Sequence, residues 1–164
     1  GEVKFADLLE LPHGLKGFFD YEQAISFAKK EGKPLFIDFT GHGCVNCRKM
    51  EQYVWSDPKV LSRLEEDYVV VALYVDEKTS LPEQEWYTSE FDGKVKKTIG
   101  KQNFDFQITR FNGNAQPYYI LLDNNEQPLM KPVSYDPSVE NFVKFLDEGK
   151  EEFDRRKEKL SALN

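Results

Sequence analysis

Cysteine, methionine, tryptophan and histidine occur only twice each in the 164 residues. With cysteines at positions 44 and 47 alone, no set of bridges can staple the fold, and one bridge between them closes too small a loop to constrain the unfolded chain. Chemistry is therefore a better reason for the pair than stability. Cations are also scarce: 22 Lys and Arg face 29 Asp and Glu, a formal net charge of −7, and no segment gathers the positive charge that phosphate neutralisation needs. That excludes nucleic acid as a partner. No apolar run approaches the roughly 20 residues needed to cross a bilayer, and the first residues lack the basic-then-apolar pattern of a signal peptide. The chain opens on Gly1 rather than Met, so it is expected to be a shortened one, with room ahead of it for an export signal or a membrane segment.

What is present suits one folded domain. Hydrophobic residues make up 40% and aromatics 14%, with 13 Phe and 8 Tyr, enough for a single core at this length. Residues 1–19, broken by Pro12, Gly14 and Gly17, predict an irregular lead-in. Asp20 can cap a helix over 21–30, with Ala24, Phe27 and Ala28 on one face and Gly32 with Pro34 stopping it. The run from Leu35 to Thr40, apolar apart from Asp38, predicts a buried central strand. Gly41 to Cys47 then turns into a helix reaching about Trp55, and Asp57-Pro58 opens a short helix over 59–66. A β-branched strand follows over 69–75.

Residues 76–100 read as a polar insertion, its Asp92-Gly93 suggesting a hairpin with 94–99 as the second arm. Phe104, Ile108 and Phe111 fall at helical spacing. A strand over 118–123 turns at Asn124-Asn125 towards a partner strand around 129–135. Asp136-Pro137 opens a last helix carrying Val139, Phe142, Val143 and Leu146, and residues 151–164 predict a charged, solvated helical tail. Strands alternating with helices give an α/β domain over 20–150, a sheet covered by helices on both faces.

A Cys-x-x-Cys between a buried strand and a helix places the first sulfur at the helix amino terminus, where free N–H groups and the macrodipole favour a thiolate. Cys44 is thus the expected nucleophile, and Cys47, one turn deeper, the sulfur that resolves a mixed disulfide. This exchange needs no metal and no organic cofactor. The competing reading is half of a zinc site completed by His42 and His13, whose positions suit one tetrahedron poorly. A pair of inert buried thiols is the third.

The run Lys33-Pro34-Leu35-Phe36-Ile37-Asp38-Phe39-Thr40-Gly41-His42-Gly43-Cys44-Val45-Asn46-Cys47-Arg48-Lys49-Met50-Glu51 resembles the thioredoxin superfamily. Within it, the run is similar to the C-terminal thioredoxin-like domains of DsbD-type thiol:disulfide interchange proteins. The matching features are an acid six residues before the first cysteine, Cys-Val-x-Cys followed by a basic residue, and an acid seven residues after that cysteine. The likeness holds from about 17 to 75 and from 110 to about 145, and fails over 76–100.

The resemblance implies a thioredoxin fold with a central mixed sheet. It makes Asp38 the buried carboxylate behind the active site and Glu51 a second acid beside the pair, on the helix face shared by 44, 47, 48 and 51. Pro117 matches the family's cis-proline, and Gln116, Gly43, Val45 and Asn46 fall on the surface that receives a substrate. Gly43 stands where thioredoxins usually carry Trp, which removes an apolar contact for partners. Neither Val45 nor Asn46 fixes the direction of electron flow; the likeness favours a reductase. It further implies a monomeric periplasmic domain of a membrane-anchored protein, reduced by an adjacent membrane electron-transfer domain and reducing thiol and disulfide proteins for disulfide isomerisation or cytochrome c maturation. The alternatives are a non-catalytic module that binds zinc or a client protein, and a cytosolic thioredoxin-like reductase.

Overall fold

Side-chain alternation along β1 (Leu35–Thr40) sets the architecture, because all six residues are buried and must find cover on both faces of the sheet. The computed structural model describes residues 2–163. β1 lies between β2 (Val69–Tyr74), which runs parallel to it, and β5 (Tyr118–Leu122), which runs antiparallel. Leu35, Ile37 and Phe39 meet α1 (Tyr21–Glu31) through Ala24, Ile25 and Ala28. Phe36 points the other way, into a larger cluster with Met50, Val54, Trp55, Phe142 and Leu146. By the same alternation Asp38 and Thr40 lie on this second face, beneath the helix that carries the cysteines.

Caps place most helix starts where the sequence puts them. Asp20 accepts from the Gln23 N–H, Gly32 ends α1 with φ 67°, and Pro58 opens α3 (Pro58–Glu66) behind Asp57. On α1 the buried face differs from the expected one: Ile25 is buried, whereas Phe27 is exposed and its ring meets Phe18. The strand expected around 129–135 is reduced to isolated bridges from Pro128 to Leu122 and from Val133 to Tyr119. Pro128 and Pro132 lack the N–H that a continuous ladder would need. At the opposite edge the lead-in contributes one parallel bridge, Phe18 to Val71, beside β2.

Residues 76–100 hold a two-stranded hairpin, β3 (Tyr87–Thr88) and β4 (Val95–Lys96). Its second arm stops before Ile99, because Thr98 caps α4 (Ile99–Phe111) through the Lys101 N–H. The buried positions of α4 are also not those expected from Phe104, Ile108 and Phe111, all of which are half-buried. The hairpin covers the other side of the helix, where the hydroxyls of Tyr87 and Ser89 donate to Asp105. α5 runs unbroken over Val139–Ala162. It is less solvated past Lys150 than its charge suggests, since Phe153 is buried in the main core and Arg156 pairs with Asp123 at 2.8 Å.

Gly100 is where α4 presses on the end of β2. A Cβ there would stand 2.6 Å from the Glu77 nitrogen, 2.7 Å from its oxygen and 2.8 Å from the Val75 oxygen, all backbone. Gly100→Ala is therefore expected to destabilise the protein by about 1–3 kcal/mol, as overpacking does. Urea unfolding measures this, and an unchanged midpoint would show that the segment yields freely.

Candidate active site

Three strand ends meet at one rim. Register pairs Thr40 with Tyr74 and Phe39 with Tyr118, so Thr40, Tyr74 and Pro117, the residue before Tyr118, reach the same edge of the sheet. The chain leaves Thr40 through Gly41-His42-Gly43 and enters α2 (Val45–Met50), which widens into a π turn over Glu51–Trp55. Such turns recur at functional sites. Cys44 is the N-cap of α2 with φ −87°, and its Sγ accepts from the Cys47 N–H at 3.1 Å. The two cysteines are joined as a disulfide with Cα atoms 5.2 Å apart. Cys44 is half-buried and Cys47 is 1% exposed, an arrangement that leaves one sulfur open to attack and shelters the other. Gly43, Val45 and Asn46 are exposed around Cys44.

Asp38 is 3% exposed and lies on the sheet face that α2 covers. Burial, then the charge of Glu51, push its carboxyl well above the usual range, with Arg48 opposing them. Burial raises Glu51 as well, while Arg48 and His13 draw it back. Arg48 holds the cluster together, its Nη2 donating to Thr40 Oγ1 at 3.0 Å and to Glu51 Oε2 at 2.8 Å. Arg48 Nε is buried with no hydrogen-bond partner among the described residues, and the Tyr74 phenol, raised by burial, is drawn back by Arg48 and raised further by the charges of Glu51 and Asp38. Cys47, Arg48 and Glu51 thus stand on the redox helix, over the sheet face from which β1 presents Asp38 and Thr40.

The Gln116–Pro117 peptide is cis and Pro117 is buried. Its approach is set by Gln107, a fully buried amide whose Nε2 donates to the Ala115 carbonyl at 2.9 Å and whose Oε1 accepts from Gln116 Nε2 at 2.9 Å. Nothing in the local pattern separates Gln107 from a surface glutamine, so sequence reasoning misses it.

It also misses the clasp on the redox turn. Asp76 accepts from the His42 N–H at 2.8 Å and the Gly43 N–H at 3.0 Å. A Cβ on Gly41 would press on the same carboxylate at 3.1 Å. The His42 ring stacks on Tyr74 with centroids 4.4 Å apart and bonds Glu77 at 2.8 Å. Hydrogen bonds from Thr79, followed by that from His42, hold the Glu77 carboxyl below the usual range. One signal existed: parallel strands end side by side, so the first polar residues after Tyr74 must meet the turn after Thr40. His42 is thereby turned to Glu77 and His13 to the Glu51 carbonyl, rather than both to the cysteines as the zinc reading requires. Among the described residues no group of three or more His, Cys, Asp or Glu could hold a metal ion. No helix among them is long and apolar enough to cross a membrane.

The thiol:disulfide interchange protein DsbD of Vibrio vulnificus (strain CMCP6) is 34% identical over 47 residues, which is 29% of this chain and 8% of that protein's length. Among solved structures, a DsbH oxidoreductase superposes with a TM-score of 0.64 at 16% identity, covering 88% of this chain and 92% of the other. The oxidised C-terminal domain of Neisseria meningitidis DsbD superposes with a TM-score of 0.54 at 16% identity, covering 82% and 99%. These structural likenesses speak to the fold. The thioredoxin-like family matches residues 16–123, a span that holds the central strands, the Cys-x-x-Cys turn and the cis-proline. The chain belongs to that thioredoxin-like family and, with its Cys44–Cys47 disulfide, is a thiol:disulfide oxidoreductase.

Proposed function

We propose that this chain is the reducing domain of a DsbD-like protein, standing in the periplasm as a monomer. It would take electrons from an adjacent membrane electron-transfer domain and pass them to thiol proteins that serve disulfide isomerisation or cytochrome c maturation. The observation that carries this reading is the asymmetry of the pair: Cys44 is accessible at a helix cap, and Cys47 is sealed over the sheet face that holds Asp38.

Each half of the cycle follows from that asymmetry. On loading, a donor thiolate attacks Cys44 Sγ, the Cys44–Cys47 bond breaks, and Cys47 leaves as a thiolate that takes a proton from Asp38. A second donor thiol then attacks the donor sulfur of that mixed disulfide, so the donor leaves oxidised and Cys44 leaves as a thiolate. On delivery, the Cys44 thiolate attacks a partner disulfide, Asp38 accepts the proton of Cys47, and Cys47 attacks Cys44 Sγ to release the reduced partner. A carboxyl raised by burial is suited to both halves, because it can hold the proton between them. Exposed Gly43, Val45 and Asn46, with the Gln116–Pro117 segment, would receive the partner's chain.

The reduction potential tests the direction. Equilibration against glutathione buffers, read by thiol alkylation, is expected to place the pair below about −180 mV, on the reducing side of the disulfide isomerase range. A value near −120 mV, that of a strong oxidant, would overturn the reductase assignment while leaving the exchange chemistry in place.

A further inference from the structure

The turn that leads into Cys44 carries three consecutive N–H groups, and each has an acceptor. Asp76 Oδ1 takes the His42 N–H at 2.8 Å, Asp76 Oδ2 takes the Gly43 N–H at 3.0 Å, and the Cys44 N–H closes the turn on the Gly41 carbonyl at 3.3 Å. The donor that Cys44 Sγ does have comes from the helix, the Cys47 N–H at 3.1 Å. Asp76 is exposed, two residues beyond the end of β2, and the pairing of Thr40 with Tyr74 brings it beside the turn. Gly43 leaves it uncovered: a Cβ there would meet Asp76 Oδ2 at 3.8 Å and nothing else within 4 Å outside its own chain neighbours. Gly43 also adjoins Cys44, so a carboxylate 3.0 Å from its nitrogen stands no more than about 10 Å from Cys44 Sγ, within one Debye length at 0.1 M salt.

We propose that Asp76 is a positioning residue that sets the redox poise of the pair: it fixes the turn by taking two of its N–H groups, and its negative charge makes the Cys44 thiolate costlier than the helix terminus alone would leave it. The inference rests on Cys44 being the attacking sulfur, as in the redox reading above, and not on the direction of flow. The charge bears on the dithiol, which ionises, and not on the disulfide, which does not. It therefore tilts the couple towards the disulfide and makes the dithiol the better reductant. The charged or titratable groups on the segments that meet the turn are His42 within it, Tyr74 on β2 with Asp76, Glu77 and Lys78 after it, Asp38 on β1, and Arg48 and Lys49 on α2; residues 113–116 before the cis-proline carry none. Glu77 is engaged by Thr79 and the His42 ring, Arg48 by Thr40 and Glu51, and Asp38 is buried beneath the helix. Of all these side chains, Asp76 alone among the described residues is bonded to the backbone of the turn.

The test is Asp76→Asn, which keeps the size of the side chain and one acceptor but loses the charge. In a Cys47→Ser background, the rate at which iodoacetamide alkylates Cys44 is followed against pH, and its midpoint is expected to fall by roughly 0.5 to 1 pH unit, as when a like charge at this distance is removed. In the chain with both cysteines, two glutathione thiols reduce the Cys44–Cys47 bond and leave as glutathione disulfide. At a pH where Cys44 is ionised, that equilibrium should move about three- to tenfold towards the dithiol, about 15–30 mV less reducing. At a pH below the ionisation the offset should vanish, since a neutral thiol does not feel the charge, whereas a turn that had merely loosened would carry its offset to every pH. Asp76→Glu keeps the charge and should restore most of the parent's midpoint. A midpoint in Asp76→Asn that stays or rises, an offset independent of pH, or an equal fall in Asp76→Glu overturns the proposal. If Asp76→Asn does not fold, Asp76→Ser, whose hydroxyl can accept one N–H, is read in the same way. The redox reading fails separately: turnover by a Cys44→Ser chain sinks it, whereas an inert Cys44→Ser beside an unmoved Asp76→Asn sinks only the role of Asp76.

Discussion

Serine at position 44 is expected to end disulfide reduction, lowering insulin turnover by at least about a thousandfold, the scale on which loss of a nucleophile is felt. Cys44 caps α2, so the amide dipoles of the first turn stabilise its anion, and it is the accessible member of the pair. A hydroxyl at the same place stays protonated and cannot carry the mixed disulfide. Cys47→Ser should behave differently. Capture proceeds through Cys44 but nothing resolves it, so an adduct with the partner accumulates and dithiothreitol reverses it. Intact mass under non-reducing conditions separates the two variants. Retained turnover in Cys44→Ser, or a partner adduct that forms on Cys47 instead, would contradict the division of labour.

The parts of the site that could be read from sequence are those where one physical requirement acts alone. An acid inside the apolar run 35–40 has to be buried if that run is a central strand, and Asp38 is. A Cys-x-x-Cys at a strand-to-helix junction has to expose its first sulfur more than its second, because the helix turns the second inward. Elsewhere two requirements compete. Period alone favours Phe27 for the core, but the sheet face above α1 is filled by Ile25, and Phe27 finds Phe18 at the edge instead. Pro128 and Pro132 defeat a strand that turn chemistry and apolar content both supported. The clasp of Asp76 and Glu77 on the redox turn joins residues more than thirty positions apart, and only the parallel pairing of β1 with β2 brings them together. Gln107 is hidden for the same reason, since its partners belong to a loop whose path the helix itself sets.

Asp38→Asn is expected to make the oxidised protein steadier and slower at once. On the kinetic side the variant loses the group that takes the proton from Cys47, so release of the partner should fall by about a hundredfold, within the range for general base catalysis. Its pH dependence should also move upward, to the ionisation of the Cys47 thiol itself. On the thermodynamic side, burial followed by the charge of Glu51 raises the folded carboxyl, so the folded state keeps a proton that the unfolded chain gives up. Stability tied to Asp38 is therefore full below the ordinary carboxylate pKa of about 4 and is lost as pH climbs through the raised folded value. An amide does not ionise. The variant and the parent should unfold alike near pH 4 and separate as pH rises, the variant melting higher by about 2–4 °C for each 1 kcal/mol gained. Urea and thermal unfolding of the oxidised form across that range measure the difference. A variant less stable at neutral pH would mean that Arg48 compensates the buried charge in full. In that case Asp38 would be ionised throughout the cycle and could not deliver the proton that Cys47 takes on leaving.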